Sequence, residues 1–199
     1  MYAPSGAPEQ LTDLVWIPVA DKAPRVKFKG GQVSPWRSRP GDGFGVLTGP
    51  SPMTDLSVWT LDLDVGDEGA FVLGGTGWEQ LDSWMAERGH SWDDLETFTT
   101  KTSSGGMHLW FLLDPDQGWV KGWAGTTELG SHVDVRVGRL SADGEVQGTG
   151  YARTIPSASY SVVKDIRAGK PAGDIERRVS RMMLGAGVMG AAAGSQEYG

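Results

Sequence analysis

Residues 58 to 64 read Val58-Trp59-Thr60-Leu61-Asp62-Leu63-Asp64, an alternation of period two. That period predicts a strand with Leu61 and Leu63 on one face and Asp62 and Asp64 on the other. The same period returns twice. In Met107-His108-Leu109-Trp110-Phe111 it sets His108 and Trp110 against Leu109 and Phe111, and in His132-Val133-Asp134-Val135-Arg136-Val137 it gathers His132, Asp134 and Arg136 on the polar face. Shorter apolar runs predict strands over 14–19, 44–48, 97–101 and 160–163. Residues 76–88 switch to a helical period, with Trp78, Leu81 and Met85 on one face, Thr76 and Glu79 as a capping box and Gly89 as the stop. Strands interrupted by a helix predict an α/β fold, a mixed sheet carrying the acids on its concave face.

Around this core the pattern fades. Residues 1–11 carry prolines and a glycine and read as a flexible N-terminus, and 12–170 read as one catalytic domain. Residues 21–40 form a basic loop region punctuated by three prolines, with Lys22, Arg25, Lys27 and Lys29 in its first half. In 171–199, Asp174 can cap a short helix, after which the Gly/Ala-rich stretch 184–194 has no apolar period that would pack, as in a linker or a tail.

Composition narrows the classes. A chain of 199 residues, 39% hydrophobic, can bury one good core. The absence of cysteine excludes disulfides and thiolate zinc sites, and no Gly-x-x-x-x-Gly-Lys-Ser/Thr phosphate loop is present to drive a helicase. No apolar run reaches the length of a membrane span and no signal pattern opens the chain, so the expectation is a cytoplasmic protein without a membrane partner. The net charge of −7 divides unevenly: residues 1–40 carry +3, 41–130 carry −12 and 131–199 carry +2. An acidic middle flanked by basic segments suits an enzyme that binds metal centrally and a polyanion at its edges, with steep salt dependence.

Two carboxylates about 7 Å apart on one rigid strand repel unless a cation lies between them, and hard divalent metals take oxygen ligands. Taken alone, Asp62 and Asp64 read more often as solvated acids in a turn at a strand end. Downstream, the turn Thr102-Ser103-Ser104-Gly105-Gly106 offers hydroxyl and backbone N–H groups to phosphate oxygens, and His108 adds a donor. Asp134 beside Arg136 would complete a site for metal-bound triphosphate. His132 rivals His108, Arg136 reads also as a plain salt-bridge partner of Asp134, and Lys22 and Arg25 read also as a solvated loop. Trp36 and Trp110 are the candidates for base stacking.

In this order the parts resemble the bifunctional DNA primase/polymerase (prim-pol) domain of the archaeo-eukaryotic primase superfamily. The acidic motif matches Asp62 and Asp64, the Ser-x-His type motif matches Ser104 to His108, and the strand acid matches Asp134. Trp16-Ile17-Pro18-Val19, Asp21-Lys22-Ala23-Pro24-Arg25, Trp36, Gly43 to Gly49 and Ile155-Pro156-Ser157 extend the likeness over roughly residues 12 to 163. Two departures are the longer polar loop 138–150 and Trp110 where tyrosine is common. The resemblance implies a primase-like mixed-sheet core with flanking helices and template-dependent joining of NTPs or dNTPs in phage or plasmid replication. Asp62, Asp64 and Asp134 would bind Mg²⁺ or Mn²⁺. Ser104, Gly105, Gly106, His108 and Arg136 would bind the nucleotide, with His108 sharing in catalysis. Lys22, Arg25, Lys27 and Lys29 would meet a single-stranded DNA template, and a helicase domain or protein would be the partner. A metal-dependent nuclease using the same acids and a non-catalytic nucleotide- or DNA-binding module remain the alternatives.

Overall fold

The computed structural model describes residues 3–29, 32–51, 53, 57–66, 75–91, 97–113, 126–127, 129–137, 139–140, 146–148 and 150–164. The helix and tail expected in 171–199 lie outside these residues. After a short 3-10 turn at Glu9–Leu11 come β1 (Trp16–Ala20), β2 (Ala23–Pro24), β3 (Phe28–Lys29), β4 (Gln32–Val33), β5 (Gly43–Pro50) and β6 (Ser57–Leu63). Helix α1 (Gly75–Ala86) precedes β7 (Thr99–Lys101) and β8 (Met107–Leu113). Then follow β9 (Thr126–Thr127), β10 (Gly130–Ser131), β11 (Val133–Arg136), β12 (Arg139–Leu140), β13 (Val146–Gly148), β14 (Gly150–Thr154) and β15 (Ser161–Lys164). The segment expected as loop after Asp21 thus contains short ladders, β1 with β2 and β3 with β4.

The main sheet runs β15-β7-β8-β6-β5-β1-β2, with β11 added to β6 and β14 added to β5. Its ladders are antiparallel among the described residues, which corrects the expected mixed sheet. For β7 and β8 the connection decides the direction: the turn Thr102 to Gly106 is long enough for a hairpin and too short for the crossover that parallel neighbours require. Of the flanking helices expected, α1 is the one among the described residues.

Alternation sorts the two faces of the sheet. Trp59, Leu61 and Leu63 of β6, Met107, Leu109 and Phe111 of β8 and Val133 and Val135 of β11 join Leu81, Trp84 and Met85 of α1 in one buried cluster. Each large side chain buried there contributes about 1.5–3 kcal/mol relative to exposure. At the end of α1, His90 N–H donates to Met85 O and Gly89 N–H to Ala86 O, with Gly89 at φ +75°. That is a Schellman stop, and glycine is the residue that takes its left-handed position without strain. On the opposite face Val58 and Trp110 pack with Trp16, Phe44, Val46 and Ala152, so the β1-β5-β14 portion covers one end of that face.

The two tryptophans proposed for base stacking belong to this second cluster. Trp110 is buried and its Nε1–H donates to Thr100 Oγ1 at 3.2 Å, while Trp36 packs at the cluster's margin with its Nε1–H donating to Trp16 O at 3.0 Å. Both ring nitrogens are satisfied inside the fold. Trp110 is part of the core, and Trp36 is half-buried beside it.

Candidate active site

Strand β6 lies between β8 and β11, and the register decides what meets on its polar face. Asp62 stands opposite His108 on β8 and opposite Asp134 on β11, while Thr60 stands opposite Trp110 and Arg136. Asp134, Asp62 and His108 therefore form one cross-strand row, with Arg136 two residues along. Asp64 lies just past the end of β6, where main-chain bonds hold it: its N–H donates to His132 O at 2.9 Å, and its C=O accepts from Gly77 N–H at 3.0 Å. A Cβ on Gly77 would run into the His132 carbonyl and the Asp64 backbone, so the first turn of α1 approaches Asp64 as closely as it does because residue 77 is glycine.

Carboxylate oxygens of Asp62, Asp64 and Asp134 come within 4.8 Å of one another. Arg136 Nη2 donates to Asp134 Oδ2 at 2.7 Å and to Asp62 Oδ2 at 3.2 Å. His108 Nε2 faces Asp62 Oδ1 at 3.1 Å, and its Nδ1–H donates to the Arg153 carbonyl at 2.9 Å, which fixes the ring plane. Burial would raise the Asp62 pKa, yet the charge and hydrogen bond of His108, followed by those of Arg136, hold it below its ordinary value. Asp64 is shifted upward, first by burial and then by the charges of Asp62 and Asp134. One acid is thus stabilised as an anion and its neighbour is strained as one, which a cation between them would relieve.

The turn before β8 is tightly made. Thr102 N–H donates to Gly106 O at 2.8 Å, Gly105 N–H donates to Thr102 O at 3.1 Å, and the Thr102 and Ser104 hydroxyls lie 3.0 Å apart. Gly105 takes φ +98°, and Gly106 packs against the Leu63 carbonyl with no room for a Cβ. Of the amides expected to meet phosphate, that of Gly105 is engaged inside the turn, while the Ser103 and Ser104 side chains are exposed.

The other expected residues divide. His132 serves the site through its backbone carbonyl, at φ +62°, and Asp62 faces His108. Lys22 and Lys27 are exposed, and Arg25 forms an ion pair with Asp42. The side chain of Lys29 lies outside the described residues. Arg136 makes the salt bridge with Asp134 that was its simpler reading, and makes it at the centre of the acidic cluster.

Two residues that the sequence did not place in the site stand beside His108. Arg153 on β14 supplies the carbonyl for Nδ1, its guanidinium lies 5.5 Å from the Tyr160 ring centroid, and it donates to Asp21 O. Tyr160 lies with its ring centroid 6.1 Å from that of His108, and burial raises its pKa, with the Arg153 charge and the Ser103 side chain opposing. The Ser157 hydroxyl accepts from Phe44 N–H at 2.7 Å and donates to Phe44 O at 3.0 Å, pinning the turn that delivers Tyr160. Ile155-Pro156-Ser157 was the one signal pointing to this region. Arg153 acts through its main chain, which no side-chain pattern reveals.

Three convergent carboxylates, with a guanidinium and an oriented imidazole beside them, are a donor set for a hard divalent cation and for the phosphates it neutralises. Such a donor set can support metal-assisted phosphoryl or nucleotidyl transfer. The chain belongs to the bifunctional DNA primase/polymerase, N-terminal family, whose profile matches residues 14–173. Searches of curated proteins and of solved structures return no match. Among the described residues, no helix is long and apolar enough to cross a membrane.

Proposed function

We propose that residues 12–170 are the catalytic domain of a template-dependent primase, DNA polymerase or both, joining nucleoside triphosphates in the cytoplasm during phage or plasmid replication. The observation that carries this reading is the convergence of Asp62, Asp64 and Asp134 beside His108 and Arg136 on one sheet face, in a chain of the primase/polymerase family. All the ligating atoms are carboxylate oxygens, which fits Mg²⁺ or Mn²⁺, with Asp62, Asp64 and Asp134 as the residues that would hold it. Such ions, when bound, supply acidity to an attacking 3′-hydroxyl and neutralise triphosphate charge.

The chain's own residues do the rest. As the imidazolium, His108 is anchored through Nδ1–H and would present Nε2–H, which faces Asp62 Oδ1 at 3.1 Å, to a phosphate oxygen arriving beside that carboxylate. Ser104 adds a hydroxyl from the turn above, and Arg136 adds a charged fork suited to two oxygens. Lys22, Lys27 and Lys29 attract a single-stranded template, and a helicase would open the duplex ahead of it.

The test is incubation with single-stranded template, labelled nucleotides and Mn²⁺, read on a primer-synthesis gel. Extended products support the proposal. A shortened template identifies a nuclease, and no change with retained nucleotide binding identifies a binding module. Either result overturns it.

A further inference from the structure

One nitrogen of Arg136 is shared between two of the three clustered acids, Asp134 Oδ2 at 2.7 Å and Asp62 Oδ2 at 3.2 Å. The acids are the sheltered ends of these pairs, their side chains 9% and 15% exposed, whereas the Arg136 side chain is 39% exposed. Arg136 ends β11 opposite Thr60, so its backbone is held in the ladder while its side chain is open enough to swing. His108 lacks that freedom, since the Arg153 carbonyl anchors its ring.

We propose that Arg136 is a specificity-determining residue: it stands in for a cation between Asp62 and Asp134, closes the triad to a bare divalent ion, and yields it to an ion that arrives with a polyphosphate. The inference rests on the metal reading of the triad. An ion that takes Asp62 Oδ2 and Asp134 Oδ2 competes with Nη2 for both oxygens. The guanidinium stays charged at any relevant pH, so the displaced side chain is left as a cation beside a cation. A bare ion offers it nothing in exchange. A polyphosphate brings oxygens that the planar fork can grip in pairs, so Arg136 changes acceptors instead of losing them. Metal and nucleotide thereby strengthen each other's binding, and by linkage to the same degree.

The experiment is calorimetric titration of the full chain with Mn²⁺, in the absence and presence of a non-reactive α,β-imido deoxynucleoside triphosphate. Arg136→Gln should bind Mn²⁺ alone about tenfold more tightly than the parent, and the triphosphate with Mn²⁺ about tenfold more weakly. Arg136→Lys keeps the charge and stem but loses the fork, and should fall between the two; it also serves if the Gln variant folds poorly. Equal or weaker binding of Mn²⁺ alone by both variants, with Asp134→Asn still abolishing it, overturns the inference and leaves the metal site standing. Mn²⁺ binding that is indifferent to Asp134→Asn overturns the metal site and the inference together.

Discussion

Replacing Asp64 by Asn removes one of three crowded carboxylates while keeping the bonds to His132 and Gly77, which use main-chain atoms. Burial, then the charges of Asp62 and Asp134, raises the Asp64 pKa, with Arg136 and His108 opposing. The folded chain therefore keeps this proton to higher pH than the unfolded chain does. Stability declines as pH climbs from the ordinary carboxylate value through the raised one, and the whole penalty stands at neutral pH. Its size follows from oxygens within 4.8 Å of one another. At that separation two like charges cost about 0.9 kcal/mol in water and about 3.5 kcal/mol at an effective dielectric constant of about 20. Asp64 opens to solvent, so the lower figure applies, and two such repulsions partly offset by Arg136 and His108 leave about 1 kcal/mol. For a chain of this size that is about 2–4 °C in Tm. Calorimetry in EDTA at about pH 7 should find Asp64→Asn melting higher than the parent, with the gap closing at about pH 3. Mn²⁺ should reverse the order, because the parent gains about 2.7 kcal/mol at a hundredfold excess over Kd and the variant gains far less. A variant that melts below the parent in EDTA, or gains as much from Mn²⁺, refutes the assignment of Asp64 as a strained, metal-facing carboxylate.

Asp134→Asn should cut nucleotide incorporation by more than about 100-fold, since groups one step removed from a metal already cost 10–100-fold; circular dichroism should show the fold retained. His108→Ala should raise the KM for nucleotide about tenfold with little change in template affinity, whereas His132→Ala, which keeps its backbone carbonyl, should leave KM near that of the parent. Changing Lys22, Lys27 and Lys29 together to Gln should flatten the slope of log affinity for single-stranded DNA against log salt by about 2, read by fluorescence anisotropy. An unchanged slope would assign these lysines to a solvated loop. Tyr160→Phe keeps the ring against His108 and loses only the hydroxyl, so nucleotide KM should rise less than in Tyr160→Ala; equal effects would reduce the ring to filler.

Strong periodicity carried most of what could be read in advance. The strand at Met107–Leu113, the polar faces of β6 and β11 and the core face of α1 all follow from periods of two or 3.6 that no neighbour overrides. Strand direction did not follow, because it depends on connections whose lengths mean little until the partners are known. The acids were legible as types and faces, and the resemblance put them in order. What escaped was supplied by main-chain atoms or by distant strands. The carbonyl of Arg153 and the backbone of His132 position His108 and Asp64, and neither leaves a mark in the residue pattern. Trp110 sat correctly on the polar face, but the neighbouring portion of the sheet covers that end, turning a candidate stacking surface into core. Arg25 looked free because Asp42 lies across a loop.

The register that seals the core is also the one that assembles the site. On β6, Leu61 meets Leu109 and Val135, and Leu63 meets Met107 and Val133, all buried in the cluster beneath α1. Sliding β11 by one residue would turn Val135 to the polar face and drive Asp134 into that cluster beside Leu81 and Met85. A carboxylate buried there without a partner would cost several kcal/mol, enough to exclude the slipped pairing in a domain of ordinary stability. Correct pairing of the apolar residues therefore brings Asp134, Asp62 and His108 into one row with no further specification. The repulsion that this row creates falls on Asp64, which is tied by its backbone beyond the end of the ladder and lies half open to solvent. The fold thus concentrates its electrostatic strain on the most accessible of the three acids, where an arriving cation would relieve it most directly.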